Sequence, residues 1–484
     1  MKTAVQHPLL RVALISAMGA VIAGCSLSPN YERPAAPVPA TIGTMAGEAT
    51  TAADLERALA DWRTVFIEPQ LQRLIGLGLE QNRDLRVAAL NVEAARAQYR
   101  IQRSVLLPQF GLYGEGARQR LPSDLSMTGE ASLQSQYGSG GQAAYELDFF
   151  GRLRSLSSEA QQRYLATEAA RRSAQLSLIS EIAGAYLAWV TDTQLLKLAR
   201  QTQATRERTV QLVERQYKVG VATQLDLSQA RGALHDARSN TAQFARLVEQ
   251  DLNALQLLTG NAQRLELGQP AADIGTVLRL AGVPASLPSE TLLRRPDIVA
   301  AEHEIRAANG RIAAARAAFF PRIVLTATAG TASADLSGLF SGGSGAWSFL
   351  PRLDLPIFDF GNRQANLDLV RVQRDARIAQ YEYAIQTAFR EVADALTARA
   401  HYVEQLQAQV DLVQEAQRTH ELSVRRYETG VDSFLQVLDA QRTLFNAQKA
   451  LLASRLQQQL NIVQLYRALG GGWNEKSDGQ TGSH

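Results

Sequence analysis

The chain has 484 residues, with 50 Lys and Arg against 47 Asp and Glu. This near balance leaves no basic footprint for nucleic acid, so we expect no nucleic-acid partner. Aromatic residues make up only 6%, and the abundance of Ala, Gln, Arg and Leu favours long helices over a compact aromatic core.

The amino terminus has the pattern of an export signal. Lys2 and Arg11 precede a short apolar run that ends in small residues before Cys25, the only cysteine of the chain. The run is too short for a confident membrane-spanning helix, and a single cysteine excludes an internal disulfide. We predict a signal peptide over residues 1–24. The alternative is an ordinary signal peptide in which Cys25 falls at the cleavage point by chance.

The segment after the signal is rich in Ala, Thr and Gly and contains four prolines: Pro29, Pro34, Pro37 and Pro39. This composition predicts an extended tether over residues 25–60. The fold is expected to start near Asp61 and Trp62.

Four sequence anchors recur in the same order at a nearly constant spacing of about 210 residues, which indicates internal duplication. The pairs are Asp84 with Asp297, Pro108 with Pro321, Gly151 with Gly361, and Tyr217 with Tyr427. We therefore predict a first structural repeat over residues 61–280, a second over 281–470, and a C-terminal tail over 471–484.

Helices of unusual length are predicted within each repeat. Residues 362–429 contain neither Gly nor Pro, and as a helix they would span about 100 Å. Val403, Leu406 and Val410 follow the three–four spacing of a coiled-coil seam. Gly430 interrupts this run, and Gly220 stands at the corresponding place in the first repeat. We predict two long antiparallel helical hairpins that turn at these glycines.

Strand-like alternation occupies the segments between the helices. Apolar residues share one parity in three runs: Ala143, Tyr145, Leu147 and Phe149; Ile323, Leu325 and Ala327; Trp347, Phe349, Leu353, Leu355 and Ile357. A weaker strand is predicted over 110–119, and the Ser/Gly-rich segments 120–140 and 332–345 are predicted to be loops. A soluble hairpin with one buried face and a transmembrane β-barrel strand both fit this pattern. The export signal, and aromatic residues where an interfacial belt would lie, favour the barrel.

Four strands cannot close a barrel, and an open sheet edge in lipid leaves backbone groups without partners. Two copies would give eight strands and an interior filled by side chains, whereas three would give twelve and leave a lumen. The sequence thus predicts a trimer.

Several motifs together resemble a known family. Ile22-Ala23-Gly24-Cys25 resembles a bacterial lipobox, in which the cysteine is lipidated and becomes the new amino terminus. The next residue is Ser26. An Asp at that position would resemble a signal for retention in the inner membrane, so Ser26 points to the outer membrane. With the duplicated halves, the two Tyr-x-x-Gly turns and the segment 437–442, the chain resembles the outer membrane factor family of TolC- and OprM-like channels from about Asp61 to Gly472.

The resemblance implies an α+β membrane protein: a trimeric 12-stranded β-barrel, four strands per protomer, continuous with a long α-helical barrel and internally duplicated. It implies a lipid-anchored protein of the cell outer membrane, in contact with outer-membrane lipid, that extends into the periplasm. It also implies a periplasmic adaptor and an inner-membrane RND-type transporter as partners. The expected function is the passive exit duct of a tripartite efflux system for drugs or other small toxic compounds.

The resemblance further places a periplasmic gate at Leu435 and Asp439. Residues four apart share a helix face, and on a three-fold axis each would form a ring of three. A leucine ring constricts by volume and dewetting, whereas an aspartate ring attracts cations. Gln436 stands where some members carry a second Asp, so a single acidic ring should bind cations less strongly. The candidates for contacts that hold the gate shut are Arg442, Tyr427 and Asp226. The simpler alternative is that Asp439 and Arg442 form an exposed helix pair worth roughly a few tenths of a kcal/mol.

Other functions are less well supported by the sequence. The histidines lack ligand spacing, and no Gly-rich phosphate loop follows a strand, so we expect neither an enzyme, nor a cofactor, nor a metal site. Within transport, the duct of a type I protein secretion system and a metal-ion efflux duct remain alternatives. A coiled-coil structural lipoprotein without a pore is the alternative from another class.

Overall fold

The computed structural model describes residues 27–43, 61–127, 129–271, 273–280 and 286–471. The predicted signal peptide, Cys25 and the tail beyond residue 471 lie outside the described residues. The α-helices are α1 (Trp62–Val65), α2 (Pro69–Gln81), α3 (Arg83–Ser104), α4 (Arg152–Lys218), α5 (Gln224–Thr259), α6 (Pro296–Ala317), α7 (Asn362–Glu428) and α8 (Phe434–Ala468). The strands are β1 (Thr41–Ile42), β2 (Gln109–Leu121), β3 (Ser132–Leu147), β4 (Leu287–Pro288), β5 (Arg322–Ser333) and β6 (Gly345–Asp354).

The two longest helices, α4 and α7, have 67 residues each. At 1.5 Å per residue this length is about 100 Å, as predicted for the second repeat. The helices that follow them are also matched, with 36 residues in α5 and 35 in α8. The same order of helix, hairpin, long helix and helix therefore occurs twice along the chain. None of the helices within the described ranges is both long and apolar enough to cross a membrane.

Both long helices are preceded by an aspartate that caps their first turn. Asp148 accepts hydrogen bonds from the backbone N–H groups of Leu153 and Arg154, at 3.1 and 2.8 Å. Asp359 accepts the corresponding bond from the backbone N–H of Arg363 at 3.0 Å. These N–H groups have no partner within the helix, and a carboxylate also complements the helix dipole. The motifs that mark the duplication in sequence are thus the starts of the two long helices.

Of the described residues, those in the ranges 27–35, 91–168 and 300–381 form one compact unit, which contains a four-stranded antiparallel sheet in the order β2-β3-β5-β6. Side chains opposite one another on neighbouring strands share a face, as Leu325 does with Tyr145 and Phe349 with Ala327. One face carries Phe110, Leu112, Tyr145, Leu147, Ile323, Leu325, Trp347, Phe349 and Leu353. The other carries Gln119, Gln134, Gln142, Glu146, Thr326, Thr328, Ser348 and Arg352. Exceptions are Arg118 and Arg120 on the first face and Val324 and Leu350 on the second. The predicted separation of apolar and polar faces is therefore present over most of the sheet, and Phe110, Leu112 and Trp347 are largely exposed.

Strand β3 begins earlier than the sequence indicated. Residues 120–140 were predicted to be a loop, but β3 starts at Ser132 and its first half pairs with β2. This half is rich in Ser and Gly, so it lacks the apolar alternation that reveals a strand. At Gly140 the backbones of β3 and β5 approach so closely that an added Cβ would lie 2.5 Å from the carbonyl oxygen of Ala329. Glycine here serves close strand packing and not a turn.

The same unit includes part of the segment predicted to be an extended tether. Glu302 on α6 is buried and accepts hydrogen bonds from the side chains of Tyr31 at 2.9 Å, Arg33 at 3.0 Å and Arg306 at 2.6 Å. The Arg306 guanidinium also lies over the Tyr31 ring at 4.7 Å. Three donors on one carboxylate offset the cost of burying its charge. Tyr31 and Arg33 therefore dock against α6, which the composition of the segment does not indicate.

The described residues in the ranges 36–90, 169–299 and 382–471 form the second unit. Its core includes the fully buried side chains of Phe66, Tyr186 and Tyr466, and the rings of Phe66 and Tyr466 meet edge to face at 5.1 Å. Arg295 is buried and donates to Asp297, to Glu391 and to the carbonyl oxygen of Ala468, each at 2.8 Å. This one guanidinium therefore joins the start of α6 to α7 and to the end of α8.

Candidate functional site

The two predicted hairpin turns share one hydrogen-bond pattern. The N–H of Gly220 donates to the carbonyl of Tyr217 at 3.0 Å, and the next residue, Val221, donates to Gln216 at 2.8 Å. In the second repeat Gly430 donates to Tyr427 at 3.0 Å, and Val431 donates to Arg426 at 2.9 Å. These are Schellman motifs, which end a helix by satisfying its last carbonyl groups. They require a left-handed residue, and the φ angles of Gly220 and Gly430 are 80° and 77°.

The helices that leave the two turns begin differently. At the start of α5, the Thr223 hydroxyl accepts from the N–H of Asp226 at 3.2 Å, and the Asp226 carboxylate accepts from the N–H of Thr223 at 2.9 Å. This reciprocal pair is a capping box. At the second turn, Arg426 instead donates to Asp432 at 2.6 Å and holds the pKa of that carboxyl below its usual range. Asp226, a predicted gate contact, thus has a local capping role within its own chain.

An apolar cluster directly beneath the turns joins the helices of both repeats. Its buried members are Val210 and Val213 on α4, Leu227, Ala230 and Leu234 on α5, and Phe434, Val437 and Leu438 on α8. Partly buried Val424 and Tyr427 of α7 pack against it. The cluster therefore fixes the two turns relative to each other within this unit.

Tyr427 is held between the repeats. Its hydroxyl donates to Gln216 Oε1 at 3.2 Å, and its ring lies 5.5 Å from that of Phe434. Burial, and next the negative charge of Asp226, raise the pKa of the Tyr427 hydroxyl. Tyr427 therefore remains a neutral hydrogen-bond donor at physiological pH.

The two predicted gate residues lie on an exposed face of α8. The Leu435 side chain is 53% exposed, although its neighbours Phe434, Val437 and Leu438 are buried. Asp439 is also exposed and accepts a hydrogen bond from Arg442 Nη2 at 2.5 Å. Within one chain the structure therefore pairs Asp439 with Arg442, Tyr427 with Gln216, and Asp226 with Thr223, and it does not join these pairs into one network.

Gln216 and the ion pair of Arg426 with Asp432 were missed from the sequence. The duplication contains the signal that could have found them, because Gln216 and Arg426 each directly precede the tyrosine of a Tyr-x-x-Gly turn. In the part of the chain that the structure describes, no group of three or more His, Cys, Asp or Glu side chains is placed to hold a metal ion.

Comparison with known proteins gives concordant results at three levels. The family described as "Outer membrane efflux protein" matches residues 74–261 and, separately, residues 287–471. The antibiotic efflux pump outer membrane protein ArpC of Pseudomonas putida is 51% identical over 462 residues, and the toluene efflux pump outer membrane protein TtgC of the same species is 50% identical over the same length. Each alignment covers 94% of both chains. The open state of the Neisseria gonorrhoeae MtrE outer membrane channel is similar in structure, with a TM-score of 0.82 and 38% identity over 93% of this chain and 98% of that one.

Proposed function

The chain belongs to the outer membrane efflux protein family and is an outer-membrane efflux channel, and on this premise we propose how it makes and closes its pore. The role of the family is transport and not enzymatic catalysis. We propose that the protein is the passive exit duct of a tripartite pump. Its cargo would be small organic toxicants, since the related proteins are named for antibiotic and toluene efflux.

The observation that carries the pore proposal is the four-stranded sheet, which has one apolar, exposed face and one polar face. Among the described residues, its outer strands β2 and β6 each pair on one side only. In a hydrocarbon layer those edges need partners, because unsatisfied backbone groups there are costly. Three copies would pair them into a 12-stranded barrel with the apolar face toward lipid and the polar face toward a lumen. We therefore propose a trimer, with the long helices as its periplasmic tunnel.

We further propose that Leu435 and Asp439 form stacked rings that narrow the periplasmic mouth. One observation supports this: Leu435 is exposed beside buried apolar neighbours, which suits a side chain that meets its counterparts in other copies. The contact of Asp439 with Arg442 in its own chain is also what the simpler alternative of an exposed helix pair predicts, so the assignment of Asp439 depends on the experiment below. In the proposal, Arg442 and Tyr427 would hold the helices in the closed arrangement. The intrachain capping role of Asp226 leaves it a smaller part in this closure.

The gate has a matched control within the chain. Leu225 and Gln229 on α5 occupy the positions of the first repeat that correspond to Leu435 and Asp439, and Leu225 is also exposed. The double variant Leu435→Ala/Asp439→Ala removes both the bulk and the charge of the rings. We expect severalfold higher conductance of the partner-free protein in planar bilayers, with loss of any block by divalent cations. The variant Leu225→Ala/Gln229→Ala should behave as wild type. Equal conductance of the gate variant and wild type would place the constriction elsewhere.

The lipid anchor is proposed at Cys25, which precedes the segment that docks against α6. We expect radioactive palmitate to label the wild-type protein in cells, and Cys25→Ser to abolish the label. Because the proposed barrel is itself a membrane anchor, the variant should still fractionate with the outer membrane. Unchanged labelling of the variant would remove the basis for the anchor.

The partners proposed are a periplasmic adaptor and an inner-membrane RND-type transporter. This proposal is supported by the relatives, which are named as outer membrane proteins of efflux pumps. A passive duct supplies a path across the outer membrane, and transport against a gradient would depend on such partners.

A further inference from the structure

Arg206 on α4 is a buried cation, only 7% exposed. Among the described residues, no carboxylate forms an ion pair with it, and its Nη1 atom is buried without a hydrogen-bond partner. Asp236 on α5, the acid whose charge acts on Arg206, is itself exposed and accepts a hydrogen bond from Asn240 at 3.2 Å. A buried guanidinium normally has a bidentate or otherwise close acidic partner, which Arg206 lacks.

Further basic groups line a groove beside Arg206. The groove encloses about 250 Å³ between α4, α5 and α8, and Arg442 and Lys449 of α8 contribute to its wall. Its one acidic residue is Asp236, and the amide of Asn446 adds a donor. Arg442 is paired with Asp439, so Arg206 and Lys449 against Asp236 give the groove its net positive charge.

A second groove of about 180 Å³, between α4, α7 and α8, also has Arg206 in its wall. Two more buried polar atoms in its wall are without partners among the described residues, His420 Nδ1 and Gln441 Oε1. Burial, and next the charge of Arg206, lower the pKa of His420. The imidazole is therefore neutral and adds hydrogen-bonding capacity without adding charge.

The duplication shows that the fold itself does not require this cation. The position in the second repeat that corresponds to Arg206 is Ala416, which is equally buried. The counterparts of Arg442 and Lys449 in the first repeat are Gly232 and Ser239. All three basic residues therefore lie at positions where the other repeat has a small neutral residue.

We propose that Arg206, Arg442 and Lys449 form a binding site for an oxyanion, a phosphate or carboxylate group. A water molecule could satisfy Arg206 Nη1 but would leave the buried charge uncompensated, whereas an oxyanion supplies both acceptor and charge. The groove is open to solvent, so a soluble anion can reach it. Charge-assisted hydrogen bonds from a guanidinium are the interactions that select oxyanions over chloride.

The binding site shares Arg442 with the proposed gate, so a bound oxyanion should affect the gate. This consequence rests on the proposed function. Arg442 now contacts Asp439. An oxyanion beside Arg206 would compete for the same guanidinium and weaken the contact with Asp439. Occupancy of the groove would then favour opening of the ring.

The binding site is tested on purified full-length protein in detergent, without partners. The midpoint of thermal unfolding is followed while inorganic phosphate or acetate replaces chloride at constant ionic strength. We expect wild type to be stabilised saturably by phosphate, and acetate to show whether a carboxylate suffices. Arg206→Leu should weaken the apparent affinity at least about tenfold, since it removes charge-assisted bonds. Lys449→Gln, at an exposed position, should weaken it severalfold without affecting folding.

The matched control is Arg238→Leu on α5, since Arg238 is exposed and already paired with Glu207 at 3.3 Å. It should respond to phosphate as wild type does. In chloride alone, Arg206→Leu should unfold at a temperature no lower than wild type, because it removes an uncompensated buried charge. Absence of saturable stabilisation in wild type, or its persistence in Arg206→Leu, would overturn the site whether or not the gate exists. Phosphate that binds but leaves the conductance of wild type unchanged would overturn the coupling alone.

Discussion

At the scale of single residues, the pKa of one aspartate in the second unit makes the stability of the fold depend on pH. Burial, and next the negative charge of Asp192 on α4, raise the pKa of Asp251 on α5 to about 7. The ordinary value is 3.8, so the folded protein binds this proton more tightly than the unfolded chain. The contribution to stability is therefore complete below the unfolded pKa and is lost as the pH rises toward 7. The second repeat has Asn461 at the position of Asp251, and its amide donates to the Ala395 carbonyl at 3.0 Å.

Replacement of Asp251 with Asn, the residue of the other repeat, tests whether the raised pKa of Asp251 lowers stability as the pH rises. Asp251→Asn should remove the loss of stability between about pH 4 and pH 7, so that the variant is more stable than wild type at about pH 8. The measurement is the midpoint of thermal unfolding across this range. Glu249→Gln, which changes an exposed carboxylate on the same helix, should leave the slope of wild type intact. Parallel pH profiles for Asp251→Asn and wild type would refute the shift.

Residue roles were predictable from sequence where they depend on a repeated motif and not where they depend on a partner from elsewhere in the chain. Gly220 and Gly430 could be placed at turns because each interrupts a helix at the same point of its repeat. Asp226 was assigned to the gate through resemblance, but the hydroxyl of Thr223, three residues before it, engages it as a cap. Local sequence contains that capping signal. Nothing in the sequence near Arg206 indicates that its charge becomes buried.

At the scale of elements, a glycine at a turn and a glycine inside a helix should respond to substitution with opposite changes in stability. Gly430→Ala places a Cβ on a residue with a φ of 77° and should destabilise the fold by about 1–2 kcal/mol. Gly232→Ala lies in the interior of α5, where an added Cβ meets nothing within 4 Å, and should stabilise by about 0.5–1 kcal/mol. Chemical unfolding of the two purified variants measures both. If both substitutions shift stability in the same direction, the left-handed turn is not the reason for Gly430.

The elements themselves were largely predictable, since absence of Gly and Pro revealed α7 and alternation revealed β5 and β6. The first half of β3 was missed because backbone pairing with β2, and not apolar side chains, holds it in the sheet; pairing with β5 begins only at Tyr137. The docking of Tyr31 and Arg33 was also missed. It depends on Glu302, which lies far along the chain, so only the tertiary fold brings these charges together.

At the scale of the whole molecule, family membership and chemistry lead to the same account. The match of one family to both halves of the chain agrees with paired helices of equal length. If the sheet spans the membrane as proposed, its apolar face contacts lipid and its two outer strands need partners there. A single copy cannot supply those partners. The number of copies is therefore the quantity on which the proposed barrel depends.

The most direct test of this account is the number of chains in the purified detergent-solubilised particle, measured by native mass spectrometry and by chemical cross-linking. We predict three chains in the particle and a cross-linked ladder that stops at three. Twelve strands would then enclose a lumen, as eight would not. A particle of one chain, or of two, would contradict the proposed barrel and with it the pore.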